Sequence, residues 1–131
     1  KRKKTSKKIK KKSKNKKQEI KEVSEVIIPS YEGELGILKD HIPLITFLRP
    51  GLIKIVSDNE KKFFVEDGTV EFVENNLLIL SSTVKYLKDF DRNSIEDLIN
   101  DAEKKLKNSD VTDKEIYLLN HKLETLKNIN L

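Results

Sequence analysis

From Val23 onward the chain reads as short apolar runs separated by turn-forming residues. Val26-Ile27-Ile28 ends at Pro29 and predicts a strand over 24–28. Leu44 to Leu48 predicts another, stopped by Arg49-Pro50-Gly51. Leu52-Ile53-Lys54-Ile55-Val56 alternates, turns at Asp58-Asn59-Glu60, and returns as Lys62 to Val65. Asp67-Gly68 then reads as a two-residue hairpin turn. Thr69 to Val73 alternates, with Val70 and Phe72 inward and Glu71 outward. Asn75-Asn76 turns the chain into Leu77 to Leu80, expected to be buried on both faces, and Val84 to Leu87 reads as a last short strand. Closely spaced strands of this kind predict an antiparallel β-sandwich or barrel, and the sandwich is the expected form.

After Asp89 the period changes. Ile95, Leu98, Ile99, Ala102 and Leu106 fall on one face of a helix that Asn93 or Ser94 would cap. Asn108-Ser109-Asp110 breaks it, and Thr112-Asp113-Lys114-Glu115 is a capping box opening a second helix with Ile116, Leu119, Leu123 and Leu126 on one stripe. Two helices joined by a short turn make an αα-hairpin. Both stripes are narrow, so the hairpin is expected to dock weakly on the sandwich and to be able to move.

Most residues that impose special backbone geometry cluster between Pro29 and Pro43, which include Gly33 and Gly36. This stretch reads as a shaped loop between strands, presenting Glu32, Glu34, Asp40 and His41 to a partner. Gly36 is expected to need a positive φ, so that Gly36→Val would cost more stability than Glu34→Ala.

The net charge of +5 averages two unlike parts. Residues 1–26 carry 13 Lys and Arg against 3 Glu, a net of +10, whereas the remainder carries 14 basic against 19 acidic residues, a net of −5. Lys1 to Lys17 holds one apolar residue, Ile9, and is expected to be disordered. The division predicted is a disordered tail over 1–20, a β-sandwich over 21–88 and a helical hairpin over 89–131. A basic arm of this kind also fits an alternative class, a nucleic-acid or anionic-surface binding module. The arm contains no aromatic residue for base stacking, so nucleic acid is not the expected partner.

The chain has no cysteine, which excludes disulfides, thiolate metal sites and cysteine catalysis. No apolar run approaches the ~20 residues of a membrane span. His41 and His121 are the only histidines, neither with a second ligand at metal spacing, so no metal is expected. His121 is expected to be an exposed helix residue. Glu32 and Glu34 read as solvated acids rather than a catalytic pair. No nucleophile elbow, P-loop or dinucleotide fingerprint is present, and no cofactor or catalytic residue is expected.

Glu32-Gly33-Glu34-Leu35-Gly36-Ile37-Leu38, His41-Ile42-Pro43-Leu44-Ile45-Thr46 and Arg49-Pro50-Gly51-Leu52-Ile53 closely resemble the epsilon subunit family of F-type ATP synthases, called delta in mitochondria. Phe64-Val65, Gly68, Val70-Glu71 and Asn76 to Leu80 fit the family's later strands, so the resemblance covers about residues 20–131. It implies a non-catalytic rotor subunit that joins gamma to the membrane c-ring and helps couple proton flow to ATP synthesis. Glu32, Gly33, Glu34, Leu35, Gly36 and His41 would contact the c-ring or gamma. The hairpin would reach the alpha/beta hexamer transiently and inhibit ATP hydrolysis, with Lys114, Lys122 and Lys127 meeting the beta subunit. The implied location is peripheral, on the cytoplasmic side of a bacterial inner membrane or on an organelle membrane. Two departures stand out. The family's first strand would fall on Ile9 to Asn15, which cannot form a buried strand, so a weakened edge is expected beside residues 23–28. The family's ATP-binding pattern is disturbed at Phe90-Asp91-Arg92-Asn93-Ser94, so ATP is not expected to bind.

Overall fold

The computed structural model describes residues 7–11, 16–20 and 23–129. Among the described residues, ten strands are followed by two helices. The strands are β1 (Lys7–Lys11), β2 (Lys16–Ile20), β3 (Glu25–Ser30), β4 (Gly33–Leu38), β5 (Leu44–Leu48), β6 (Gly51–Val56), β7 (Glu60–Val65), β8 (Gly68–Val73), β9 (Asn76–Ser81) and β10 (Lys85–Tyr86). A short 3-10 turn (Leu87–Asp89) leads into α1 (Arg92–Leu106) and α2 (Asp113–Lys127). Pairing is antiparallel except between β1 and β9, which run parallel.

The sheet runs in the order β10-β7-β6-β3-β5-β8-β9-β1-β2, with β4 added on β3. One half comprises β4, β3, β6, β7 and β10, and the other β5, β8, β9, β1 and β2. They meet at a single residue pair, Ser30 with Leu48. Each half alternates inward and outward residues, so the sheet curls to bring two apolar faces together. Val26, Ile28, Ile37, Ile53, Ile55 and Phe63 from the first half pack in one core with Leu48, Val70, Phe72, Leu77 and Ile79 from the second. This is the antiparallel sandwich and C-terminal αα-hairpin that the apolar periods predict.

Several local readings change. Pro29 to Pro43 is largely strand rather than loop. The register pairs Ser30 with Gly33, leaving only Tyr31 and Glu32 as the turn. Gly33 has φ +121°, which this tight turn requires, whereas Gly36 has an ordinary φ and sits within a regular ladder. Asp67-Gly68 does not close a hairpin. β7 pairs with β6 and β10, and β8 with β5 and β9, so residues 66–67 form a corner carrying the chain between halves. The β8–β9 turn is Glu74-Asn75 rather than Asn75-Asn76, with φ +49° and +62°, the left-handed pair that a two-residue hairpin favours. Leu78 and Leu80 are half-buried, so β9 buries one face fully and the other only in part.

Ten residues of the Lys-rich stretch, expected to be disordered, have strand backbone in β1 and β2. Parallel pairing with β9 supplies hydrogen bonds to β1, and antiparallel pairing with β1 supplies those of β2, contributions that local composition does not reveal. β3 is flanked by β4 and β6, so the edge beside residues 23–28 is covered rather than weakened.

The helices pack on the outer side of β6 and β7. Phe64, Phe90, Ile95, Leu126 and Ile129 form a second buried cluster, joined by Leu52, Leu98 and Ile99. Asp91, not Asn93 or Ser94, caps α1, its carboxylate accepting from Ser94 N at 2.7 Å. Thr112 caps α2 as expected, accepting from Glu115 N at 3.1 Å, while its hydroxyl donates to Glu115 Oε1 at 3.0 Å.

Candidate functional site

The sequence-derived contact residues fall at opposite ends of the sandwich. Glu32 and Gly33 lie at the β3–β4 turn, and β4 carries Glu34, Leu35 and Gly36 away from it. His41 follows the far end of β4, where Asp40 N donates to Asn75 Oδ1 at 2.7 Å across to the β8–β9 turn. A strand of this length spans roughly 20 Å, so the turn acids and His41 do not share a site. Glu32, Glu34 and Gly36 are exposed, and Leu35 packs partly against the core. His41 is half-buried, edge-on to Phe72 at 6.0 Å, with Nδ1 2.7 Å from Ile42 O.

A surface that no sequence motif marks lies on the outward face of β5 and β8. Ile45 is 76% exposed, Phe47 61% and Val73 40%, with Ile42 close by in the preceding loop at 73%. Register places Ile45 beside Glu71 and Phe47 beside Thr69, then Leu78 and Leu80 on β9, so apolar side chains recur across three strands. Large exposed apolar groups gathered on one sheet face mark an interaction surface. The signal was present in Leu44-Ile45-Thr46-Phe47-Leu48, which lacks the polar outward positions of Thr69 to Val73. Near one end of this face Tyr31, Phe47, Thr69, Leu80 and Lys114 line an open cavity of about 510 Å³.

The basic residues of α2 have separate fates. Lys114 is exposed, and Lys127 pairs with Glu103 of α1 at 3.5 Å. Lys122 is 8% exposed and forms an ion pair with Glu66 at the corner between the halves. Nearby, Tyr117 stacks on Tyr31 with ring centres 6.1 Å apart, and its hydroxyl donates to Tyr31 O at 3.2 Å. The hairpin is therefore docked through specific polar and aromatic contacts, a closer association than its narrow stripes predict.

His121 is half-buried rather than exposed, packing edge-on against Tyr117 at 4.5 Å. It lines a cleft of about 230 Å³ between α2 and the sandwich, with Arg49, Lys54, Glu34 and Glu124. Burial and then the Arg49 guanidinium hold its pKa below the ordinary 6.5, against the opposing pull of Glu124. The Asp91 carboxyl also lies below its ordinary value of 3.8, because the backbone and side chain of Ser94 donate to the charged form.

Residues 13–86 match the family model for the ATP synthase delta/epsilon chain β-sandwich domain. Over 110 residues the chain is 50% identical to the ATP synthase epsilon chain of Pelagibacter ubique, covering 83% of this chain and 85% of that one. The chain belongs to the ATP synthase delta/epsilon family. The mitochondrial ATP synthase subunit delta of Schizosaccharomyces pombe is 36% identical over 91 residues, covering 67% of this chain and 54% of that one. The fold recurs in a chain of the Euglena gracilis mitochondrial ATP synthase, with TM-score 0.70 at 17% identity over 92% of this chain and 78% of that one. It recurs also in the Tetrahymena thermophila mitochondrial ATP synthase central stalk and c-ring, with TM-score 0.61 at 16% identity over 93% of this chain and 92% of that one. Among the described residues of this delta/epsilon chain, no helix is long and apolar enough to cross a membrane.

Proposed function

We propose that this delta/epsilon chain is a non-catalytic rotor subunit that binds gamma and rests on the c-ring, coupling proton translocation to ATP synthesis. The observation that carries the reading is the exposed apolar face of β5 and β8, with Ile45 and Phe47 at its centre. That face suits gamma, because a permanent partner can bury what a free domain leaves open. The acids Glu32 and Glu34 offer a polar, charged contact suited to a ring-facing loop, and His41 would serve a separate contact at the other end. The chain would sit peripherally on the cytoplasmic side of a bacterial inner membrane, or on the corresponding organelle membrane. In the docked arrangement Lys114 is exposed and positioned to meet an acidic surface of the beta subunit, Lys122 becomes available only when the hairpin leaves Glu66, and Lys127, paired with Glu103 within the hairpin, moves with it. The hairpin would then inhibit ATP hydrolysis when it extends toward the alpha/beta hexamer.

The test is co-purification of the tagged chain with gamma and the c-ring. The double variant Ile45→Asp/Phe47→Ser should lose gamma while keeping the wild-type unfolding midpoint, because neither side chain belongs to the core. Retention of gamma by the stably folded variant would refute the assignment of this face. Removing residues 89–131 should raise ATPase activity of the assembled complex, and unchanged activity would remove inhibition from the hairpin.

A further inference from the structure

Three kinds of contact hold α2 on the sandwich: the apolar cluster around Leu126, the Lys122–Glu66 ion pair, and the aromatic series Tyr31, Tyr117 and His121. Only the third contains a group whose charge changes near neutral pH. His121 looks into the 230 Å³ cleft, so its charge state acts at the joint between helix and sheet. Arg49 reaches this cleft from the β5–β6 connection and Lys54 from β6, giving two cations on the sandwich side. Glu34 from β4 and Glu124 from α2 itself supply the carboxylates, both exposed, and among the described residues neither forms an ion pair with His121. Tyr117 presents its ring against the imidazole from one turn earlier on α2, and Tyr31 backs Tyr117 from the β3–β4 turn.

A neutral imidazole fits this joint, whereas an imidazolium would add a third cation beside Arg49 and Lys54 and would need water in a half-closed cleft. We propose that His121 makes docking of the helical hairpin pH-dependent, its neutral form holding α2 on the sandwich and its protonation releasing it. The direction of the effect follows from linkage. Burial and Arg49 lower the imidazole pKa in the docked state, and release returns it toward 6.5. Docking is therefore fully supported above 6.5 and weakens as the pH falls toward the lower, docked value. The apolar cluster and the Lys122–Glu66 pair persist through this range, so protonation shifts a balance between docked and released forms without unfolding either part. The device belongs to the chain itself and is read on the isolated protein. Its failure would leave the rotor assignment untouched, and failure of gamma binding would leave the device untouched.

The chain has no cysteine, so paired spin labels can be placed by Asp58→Cys at the β6–β7 turn and Asn120→Cys on the exposed side of α2. Distances measured between labels at about pH 7.5 and about pH 5.5 should reveal a longer, released population that grows roughly threefold or more at the lower pH. His121→Gln, which cannot charge, should keep the docked distance at both values. An unchanged wild-type population, or the same pH response in H121Q, would overturn the proposal. Imidazole titration by NMR supplies an independent measurement. Tyr117→Ala, which loosens the joint, should move the His121 titration to higher pH. Coincident His121 titrations in the two proteins would equally overturn it.

Discussion

Replacing Gly68 with alanine is expected to cost roughly 2–5 kcal/mol of folding stability, whereas Gly36→Ala should stay within about 1 kcal/mol of wild type. Gly68 starts β8 with φ +146°, and an added Cβ would stand 2.6 Å from Leu80 O, 2.9 Å from Ser81 Cβ and 3.3 Å from Leu48 Cδ1. Backbone strain of this kind costs about 1–3 kcal/mol, and forcing a methyl against packed neighbours about 1–3 more. The Leu80 carbonyl cannot retreat cheaply, since β9 is paired with β8 at Leu80–Thr69. Against these terms, alanine restricts the unfolded chain and recovers about 0.4–1 kcal/mol. At Gly36 the backbone is ordinary, and the added Cβ meets only Glu25 Oε2 at 2.9 Å, the tip of a side chain free to swing aside. Urea unfolding of the full chain followed by circular dichroism measures both variants. The Gly68→Ala midpoint should fall by about 1–3 M and the Gly36→Ala midpoint by much less. Equal midpoints, or a costlier Gly36 variant, would show that the corner at residues 66–68 is not the constrained point described.

Two further outcomes are expected. Lys122→Met keeps the buried stem and removes the charge, leaving Glu66 to turn toward water, so it should weaken α2 docking by about 1 kcal/mol. Lys122→Glu sets two carboxylates together and should weaken docking more, and equal amide-exchange rates along α2 in the two variants would contradict the pairing. Asp91→Asn should reduce α1 helicity near neutral pH. The wild-type cap loses its strength as the pH falls below 3.8, because the folded carboxyl lies lower than the free one, and this acid-dependent loss in Ser94 amide protection should vanish in the variant.

The apolar periods carried most of the architecture. Alternation in Leu52 to Val56 and in Thr69 to Val73 marks strands with one wet face, and the stripe from Ile95 to Leu106 marks a helix, because burial of one face dictates each period. What the periods do not carry is which strand pairs with which. Asp67-Gly68 has hairpin chemistry, yet its glycine serves a close approach to β9 after a corner, and no local signal separates those uses. The glycines and prolines of Pro29 to Pro43 signal irregular backbone, yet Leu35 and Ile37 alternate as in a strand and both point into the core. The candidate contacts were legible as exposed polar residues, but their division between two ends follows from strand direction, a tertiary property. His121 and Lys122 could not be placed from the helical stripe, since their burial depends on the Tyr31 turn and the Glu66 corner, far away in sequence.

The single pair Ser30–Leu48 is the only backbone ladder joining the two halves of the sheet among the described residues. A twisting load applied to the β5–β8–β9 half therefore has few hydrogen-bonded routes to β3, β4, β6 and β7, chiefly this pair and the Asp40–Asn75 contact between the end of β4 and the β8–β9 turn. The rest passes through the interlocked side chains of Ile28, Ile37 and Phe63 against Leu48, Val70 and Phe72. Close-packed interiors are stiff in compression, so such a joint is rigid when squeezed and far softer in shear. The mechanical strength of the domain is then set by the volume and shape of a few buried side chains. A methylene removed at Ile28 or Leu48 would alter its torsional stiffness while leaving every strand pairing in place.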